Sequence, residues 1–153
     1  MFLGVLLFRA YVLQRIIVSG NSMSGTIEDG SVVFARRFGV DEFERFDIVV
    51  VRRGGINLIK RVVGVPGEAI MISGGELVIN GAVVTRSYAD GYISDGGIVS
   101  DEYIVLGDSE YFVLGDNYSH SEDSRSFGAV DVSDIKGVVI WRLFPFRSIG
   151  RIM

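Results

Sequence analysis

Between residues 48 and 85 the sequence is a succession of short β-branched and aliphatic runs, each closed by a glycine-rich pair. Ile48, Val49, Val50 and Val51 form a continuous apolar run of the kind a buried strand presents. Gly54-Gly55 stands at the tip of the polar stretch that follows, and residues 58–65 return as a second strand until Pro66-Gly67 stops it. Residues 69–72 and 77–79 flank Gly74-Gly75. Asn80-Gly81, the strongest two-residue hairpin signal in the chain, then leads into Val83, Val84 and Thr85. Such pairs supply the positive backbone angles that tight hairpins need, so this spacing predicts antiparallel neighbours.

The rest of the chain agrees. Residues 32–35 alternate as a strand after a Gly/Ser/Asn/Asp-rich turn over 19–30. Residues 103–106 and 111–114 alternate again, and 138–144 form a last strand holding the only tryptophan, Trp141. Residues 41–45 read as a further turn. Residues 87–101 have the composition of an extended loop or exposed hairpin, and the polar run 116–126 is long enough for a functional loop. No helical period lasts three turns after residue 18, and internal repeats of 20–50 residues are absent. With 20 glycines and 2 prolines in 153 residues, the expected fold is all-β: antiparallel sheets joined by glycine-rich hairpins, in a single domain.

Composition excludes several functions. The net charge is −4, against nucleic acid as a partner, since phosphate binding needs a basic face. There is no cysteine, hence no disulfide and no thiolate-held metal. His120 is the only histidine and reads as an exposed loop residue. No metal site and no cofactor are expected.

Two short stretches carry chemical promise. In Gly20-Asn21-Ser22-Met23 a hydroxyl residue sits in a tight turn directly after the apolar run Ile16, Ile17, Val18. In Leu58-Ile59-Lys60-Arg61-Val62-Val63-Gly64 a lysine lies among aliphatic residues. Only two of the 15 basic residues are lysines, Lys60 and Lys136. Arginine does not release its proton in a protein, whereas a desolvated lysine does and then serves as a base. Serine with neutral lysine is a nucleophile–base pair for acyl transfer. Singly, each residue has a plainer reading: Ser22 as a turn serine, Lys60 as a strand-edge guard with its amine in water, and Asp123 with Arg125 as an exposed ion pair.

Together these blocks resemble the type I signal peptidases of bacteria, in the family's order. They are Ser22-Met23 with Thr26-Ile27; Lys60-Arg61-Val62-Val63-Gly64-Val65-Pro66-Gly67-Glu68; Gly115-Asp116-Asn117; and Ser121-Glu122-Asp123-Ser124-Arg125. The resemblance runs from about residue 19 to residue 152. It implies a membrane-bound serine endopeptidase with a Ser/Lys dyad and a β catalytic domain. Its substrates would be secretory preproteins, cut after small residues at the first and third positions before the bond. By position, Ser22 would be the nucleophile and Lys60 the general base. Ser121 would hydrogen-bond the lysine amine, Asp123 and Arg125 would pair to hold their segment against the catalytic strand, and Gly115, Asp116 and Asn117 would shape the site. The substrate would add as a strand between the chain around Val18, Gly20, Asn21 and Met23 and the strand at Leu58 and Ile59. The backbone N–H of Ser22 is the natural oxyanion donor.

Met1–Phe8 is wholly apolar and ends at Arg9. Eight residues fall short of the ~20 that cross a bilayer as a helix, and the segment lacks the basic start and cleavage site of a secretory signal. We read residues 1–18 as the remnant of a membrane anchor, a core strand or helix being the alternative, and 19–153 as the catalytic β domain. The expected partners are preproteins and membrane lipid. The expected place is the bacterial cytoplasmic membrane, with the catalytic domain on its outer face, periplasmic or extracellular.

The chain departs from the family pattern in four places. Gly25 stands for the usual proline, Gly30-Ser31 for the usual Gly-Asp, and Phe46 for the usual glycine before Asp47. Gly20 carries no hydroxyl for the oxyanion. Gly25 would loosen the turn that presents Ser22. Rival readings are a specialised Ser/Lys processing peptidase of the conjugation type, a self-cleaving repressor, and a non-catalytic membrane-associated binding domain. The repressor needs an N-terminal DNA-binding region for which residues 1–18 leave no room.

Overall fold

The computed structural model describes residues 13–37, 42–85, 93 and 102–152. The apolar start before residue 13 and nearly all of the expected loop 87–101 lie outside the described residues.

The predicted hairpins are present. β3 (Ile48–Arg53) and β4 (Ile56–Gly64) pair antiparallel through Gly54-Gly55, with Val49 opposite Lys60 and Val50 opposite Ile59. β5 (Ala69–Ser73), β6 (Glu76–Ile79) and β7 (Ala82–Val83) follow as a meander. Both residues of each tip, Gly54-Gly55, Gly74-Gly75 and Asn80-Gly81, have positive φ, the requirement of the type I′ turn whose twist suits a two-residue hairpin.

Long-range pairing builds the remainder. The larger sheet runs β1 (Leu13–Ile17), β2 (Val32–Arg36), β11 (Ile135–Phe144), β3, β4, β9 (Glu110–Leu114), β10 (Val130–Asp131), and β12 (Gly150–Arg151) pairs with β11. The smaller sheet runs β7, β6, β5, β8 (Ile104–Val105). β1 pairs along its whole length with β2, Leu13 opposite Arg36 and Ile17 opposite Val32. The expected boundary after Val18 therefore falls behind a sheet strand and a buried residue that both pack into the β domain. The apolar stretch contributes its last residues to the β domain, because Ile16 and Val18 find core partners there.

The continuous run in β3 is explained by its two covered faces. Ile48 and Val50 pack with Val18, Met23, Ile27, Val33 and Ile59. Val49 and Val51 point the other way, into Phe43, Val62, Tyr111, Val113 and Val138. A third cluster joins the small sheet to β9 through Ile70, Leu77, Phe112 and Leu114. Each fully buried aliphatic side chain contributes about 1.5–3 kcal/mol. β3 and β4 thus form the most deeply buried hairpin, and Lys60 stands within it.

Among the described residues, no helix is long and apolar enough to cross a membrane.

Candidate active site

Ser22 occupies a compact turn. Ser24 donates its amide to the carbonyl of Asn21 at 3.1 Å, and Thr26 and Ile27 donate theirs to the carbonyl of Met23 at 3.1 and 2.8 Å. Met23 and Ile27 are buried in the cluster under β3. The turn is pinned from below by apolar packing while Ser22 remains only partly covered.

Lys60, from β4, brings its amine to this turn: Nζ lies 2.8 Å from Ser22 Oγ, across 38 residues of sequence. The lysine is 2% exposed, so its charged form is poorly hydrated. Burial pushes its pKa below the usual 10.5, against an opposing pull from Asp123 and, more weakly, Glu122. A neutral amine in hydrogen-bond contact with a serine hydroxyl can take the proton that makes the oxygen nucleophilic. The reading of Lys60 as a strand guard with its amine in water does not hold.

Two buried ion pairs frame the dyad. Arg61 forks onto Asp116 through Nε–Oδ1 at 2.9 Å and Nη2–Oδ2 at 2.8 Å, and also donates from Nη1 to the Phe46 carbonyl at 2.9 Å. Asp123 and Arg125 pair through Nε–Oδ1 and Nη2–Oδ2, both at 2.8 Å. Neither pair is exposed: Arg61, Asp123 and Arg125 are 1% exposed or less, and Asp116 7%. A bidentate Arg–carboxylate pair inside a protein is geometrically specific. Arg61 was visible in the sequence as part of the lysine block but received no role there; its partner lies 55 residues away.

The segment 116–126 is folded onto the domain, with Asp116, Tyr118, Asp123, Ser124 and Arg125 buried. It holds a 3₁₀ turn (Tyr118–His120) and α1 (Ser124–Phe127), capped by the Asp123 carboxylate, which accepts the Arg125 amide at 3.2 Å. Asp123 Oδ2 also accepts the Gly115 amide at 3.0 Å, and Ser124 Oγ accepts the Val113 amide at 2.9 Å. The part of the segment holding Asp123 and Ser124 is thus bonded to β9 and the residue after it, while Asp116 reaches the catalytic strand β4 directly through Arg61. His120 is exposed, with Nδ1 3.1 Å from Ser119 Oγ.

Gly115 and Asn117 complete the frame. A Cβ on Gly115 would lie 2.2 Å from Ser121 Oγ and 2.5 Å from the Ser22 carbonyl oxygen, so only glycine fits between them. Asn117 donates its amide to the Ser22 carbonyl at 3.0 Å and its side-chain Nδ2 to the Asn21 carbonyl at 3.0 Å. The expected bond from Ser121 to the lysine amine is not made. Ser121 Oγ is buried without a hydrogen-bond partner, packed over Gly115, while the amine is directed at Ser22.

The residues expected along the substrate path differ in exposure. Val18, Met23 and Ile59 are buried core residues. Val18 also has both backbone groups engaged, its amide with Ser31 at 2.8 Å and its carbonyl with Gly30 at 2.9 Å. The neighbour Ile17, 60% exposed, points to the opposite, open face of the sheet, as alternation along a strand requires. Gly20 bonds its amide to Asp29 at 2.8 Å, Asn21 is exposed, and Leu58 is half-buried.

The departures also have local accounts. Gly25 has φ +97° and donates its amide to Glu28 Oε1 at 2.9 Å; proline could do neither. The turn at Gly25 is thus restrained by one exposed side-chain contact in place of a fixed φ. Phe46 keeps φ +76°, a backbone state better suited to the glycine it replaces. Ser31 is buried with its hydroxyl unpartnered; nothing in the structure explains that replacement.

Comparison with known proteins bears on this arrangement. The family profile described as "Signal peptidase, peptidase S26" matches residues 1–144. Signal peptidase I of Bacillus licheniformis is 31% identical over 157 residues, covering 95% of this chain and 84% of that protein. Signal peptidase I of Bacillus caldolyticus is 34% identical over 153 residues, covering 92% and 84%. The crystal structure of a signal peptidase I from Enterococcus faecalis V583 is 28% identical with a TM-score of 0.53, over 65% of this chain and 98% of that one.

Proposed function

The chain belongs to the signal peptidase family, peptidase S26, and from that premise we propose that it removes signal peptides from secretory preproteins with Ser22 as nucleophile and neutral Lys60 as base. The observation that carries the residue assignment is the 2.8 Å contact between Lys60 Nζ and Ser22 Oγ, with the lysine almost wholly buried. Enzyme class and fold follow from the family; the roles below are our reading of the geometry.

Ser22 Oγ attacks the scissile carbonyl and passes its proton to Lys60 Nζ. The new oxyanion takes the backbone N–H of Ser22, since Gly20 offers no hydroxyl. Collapse of the tetrahedral adduct breaks the C–N bond, and Lys60 returns the proton to the departing amine of the mature protein. A water then attacks the acyl-serine ester, giving its proton to Lys60. The second adduct releases the signal peptide as a carboxylic acid, and Ser22 regains its proton from Lys60. Arg61–Asp116 and Asn117 hold the two halves of the dyad in register throughout.

Two strand edges flank the dyad for substrate binding. β1 ends the larger sheet, and β4 pairs with β9 only from Arg61 onward, leaving residues 56–60 without a described strand on that side. A preprotein added there would be held by main-chain bonds, with small residues fitting where side chains meet the turn. The apolar composition of residues 1–12, in which Arg9 is the one charged residue, supports a membrane-associated enzyme anchored at its N-terminus.

Cleavage of one model preprotein in detergent, with N-terminal sequencing of the product, tests this. Ser22→Ala, Lys60→Ala and Lys60→Arg should each lose about a thousandfold or more in kcat, the double variant being little worse than either single. Substantial turnover by folded Lys60→Ala would eliminate the proposed base.

A further inference from the structure

The turn that carries Ser22 is held from two sides, and only one of these belongs to the blocks that resemble the family. On the first side Asn117 bonds the carbonyls of Asn21 and Ser22. On the second, Arg142 of β11 donates from Nη1 to the Thr26 carbonyl at 2.5 Å and from Nε to the Ser148 carbonyl at 2.7 Å. Thr26 is itself bonded back to the Met23 carbonyl, one residue after the nucleophile.

We propose that Arg142 is a positioning residue for the reaction: its guanidinium fixes the far end of the turn 22–27, so that Ser22 Oγ stays in register with Lys60. This rests on the reading of Ser22 as nucleophile. It concerns a residue 116 positions from Thr26 in sequence, which neither the family resemblance nor local composition singles out.

The need for such a clamp arises from Gly25. Glycine leaves the backbone free in the middle of the turn, where a proline would have fixed φ. The Glu28 carboxylate restrains Gly25 through an exposed contact that water competes for. Arg142 is better placed to stiffen the turn. Its donors are partly buried and charge-assisted, which makes such bonds stronger than neutral ones. No carboxylate of the described residues forms an ion pair with it. A guanidinium whose bonds go to two main-chain carbonyls far apart in sequence, Thr26 and Ser148, fixes backbone geometry rather than balancing charge. Lysine, whose three donors all radiate from one nitrogen, could satisfy only part of this fork. Small displacements of a reacting group cost rate steeply, on the order of a hundredfold for 1 Å.

A cavity of about 450 Å³ lies beside the guanidinium, lined by Gly25, Thr26, Glu28, Ser148 and Arg151 among others. A free guanidinium ion can therefore enter from solvent and occupy the place of a truncated Arg142 side chain. This separates a positioning role from a general contribution to folding.

The experiment uses the full chain in detergent, as parent, Arg142→Ala, Arg142→Lys and the control Arg151→Ala. Four quantities are measured: kcat and KM on one preprotein-derived peptide, the rate at which a small serine-directed probe labels Ser22, and Tm. Each kinetic measurement is repeated with guanidinium chloride at a concentration that leaves the parent folded. Arg142→Ala should lower kcat and the labelling rate by about 30- to 100-fold, with KM changed less than about threefold. Arg142→Lys should fall between, and guanidinium should restore Arg142→Ala several-fold while leaving parent and Arg151→Ala unchanged. Unchanged labelling in Arg142→Ala, or a loss that follows the unfolded fraction without guanidinium rescue, would overturn the assignment. Should Arg142→Ala not fold, the Arg142→Lys split decides, a parent-like kcat counting against the proposal. If the parent is labelled elsewhere than at Ser22, the nucleophile reading itself fails; labelling at Ser22 that ignores Arg142 sinks this inference alone.

Discussion

Arg61 and Asp116 form a bidentate pair inside the protein, and each is the immediate neighbour of a residue that sets the dyad. Arg61 follows Lys60 in β4, and Asp116 precedes Asn117, whose amide bonds the Ser22 carbonyl. The ion pair therefore ties the strand bearing the base to the turn bearing the nucleophile, through one residue on each side. Its geometry is transmitted by rigid backbone, with no side chain of the pair needing to touch substrate.

Breaking that pair should be costly twice. Asp116→Ala removes the carboxylate that balances the buried Arg61 charge, and removal of one member of a buried pair costs about 3–5 kcal/mol. We expect a large drop in the midpoint of urea unfolding. Where the variant is still folded, kcat should fall more than KM rises. A variant of parental stability and parental kcat would show that the pair has no part in holding the dyad.

Gly115 allows a sharper test. In Gly115→Ala the new methyl would meet the Ser22 carbonyl oxygen at 2.5 Å and Ser121 Oγ at 2.2 Å. The serine can turn aside, but the backbone cannot without moving the nucleophile. Activity should fall by a hundredfold or more, and adding Ser121→Gly, which removes the side-chain clash only, should restore little. Recovery of parental kcat in the double variant would place the clash on Ser121 alone.

The pH dependence follows from Lys60. Its folded pKa lies below 10.5, chiefly because burial disfavours the charged amine. The active form has the amine neutral, so kcat/KM should rise with pH along one ionisation of the free enzyme below the ordinary lysine range. Stability carries the same sign. Between the folded pKa and 10.5 the unfolded chain holds one more proton at this site, so stability increases with pH across that window. As pH falls through the folded pKa, the buried lysine becomes charged and that increment is gone. Lys60→Met should lack this dependence, which parallel Tm measurements over the window will show. An activity ionisation that disappears in His120→Ala would contradict the lysine assignment.

Local rules carried the fold a long way. The pairs Gly54-Gly55, Gly74-Gly75 and Asn80-Gly81 are legible because the positive φ they adopt is a property of those two residues and needs no distant partner. β10 and β12, two residues each, have no such signal, since only their long partners β9 and β11 define them as strands. The family blocks pointed to Ser22 and Lys60 before any geometry was available, and the structure brings the two together.

What the sequence by itself determined was therefore the hairpins, the all-β class and the identity of the paired serine and lysine. The tertiary structure alone decided where the charges lie and what holds the turn. Residues 116–126 are polar throughout, and hydration would leave such a stretch at the surface. Asp116, Asp123 and Arg125 are buried because partners meet them inside: Arg61 comes from 55 residues away, and the amide of Gly115 is offered by the end of a strand. The same holds for Val18, Met23 and Ile59, placed in the core by neighbours on other strands, and for Arg142, which reaches Thr26 from the far end of the chain. Burial of a polar group is favourable only when its partner is in place, and the partner's position is a property of the folded chain.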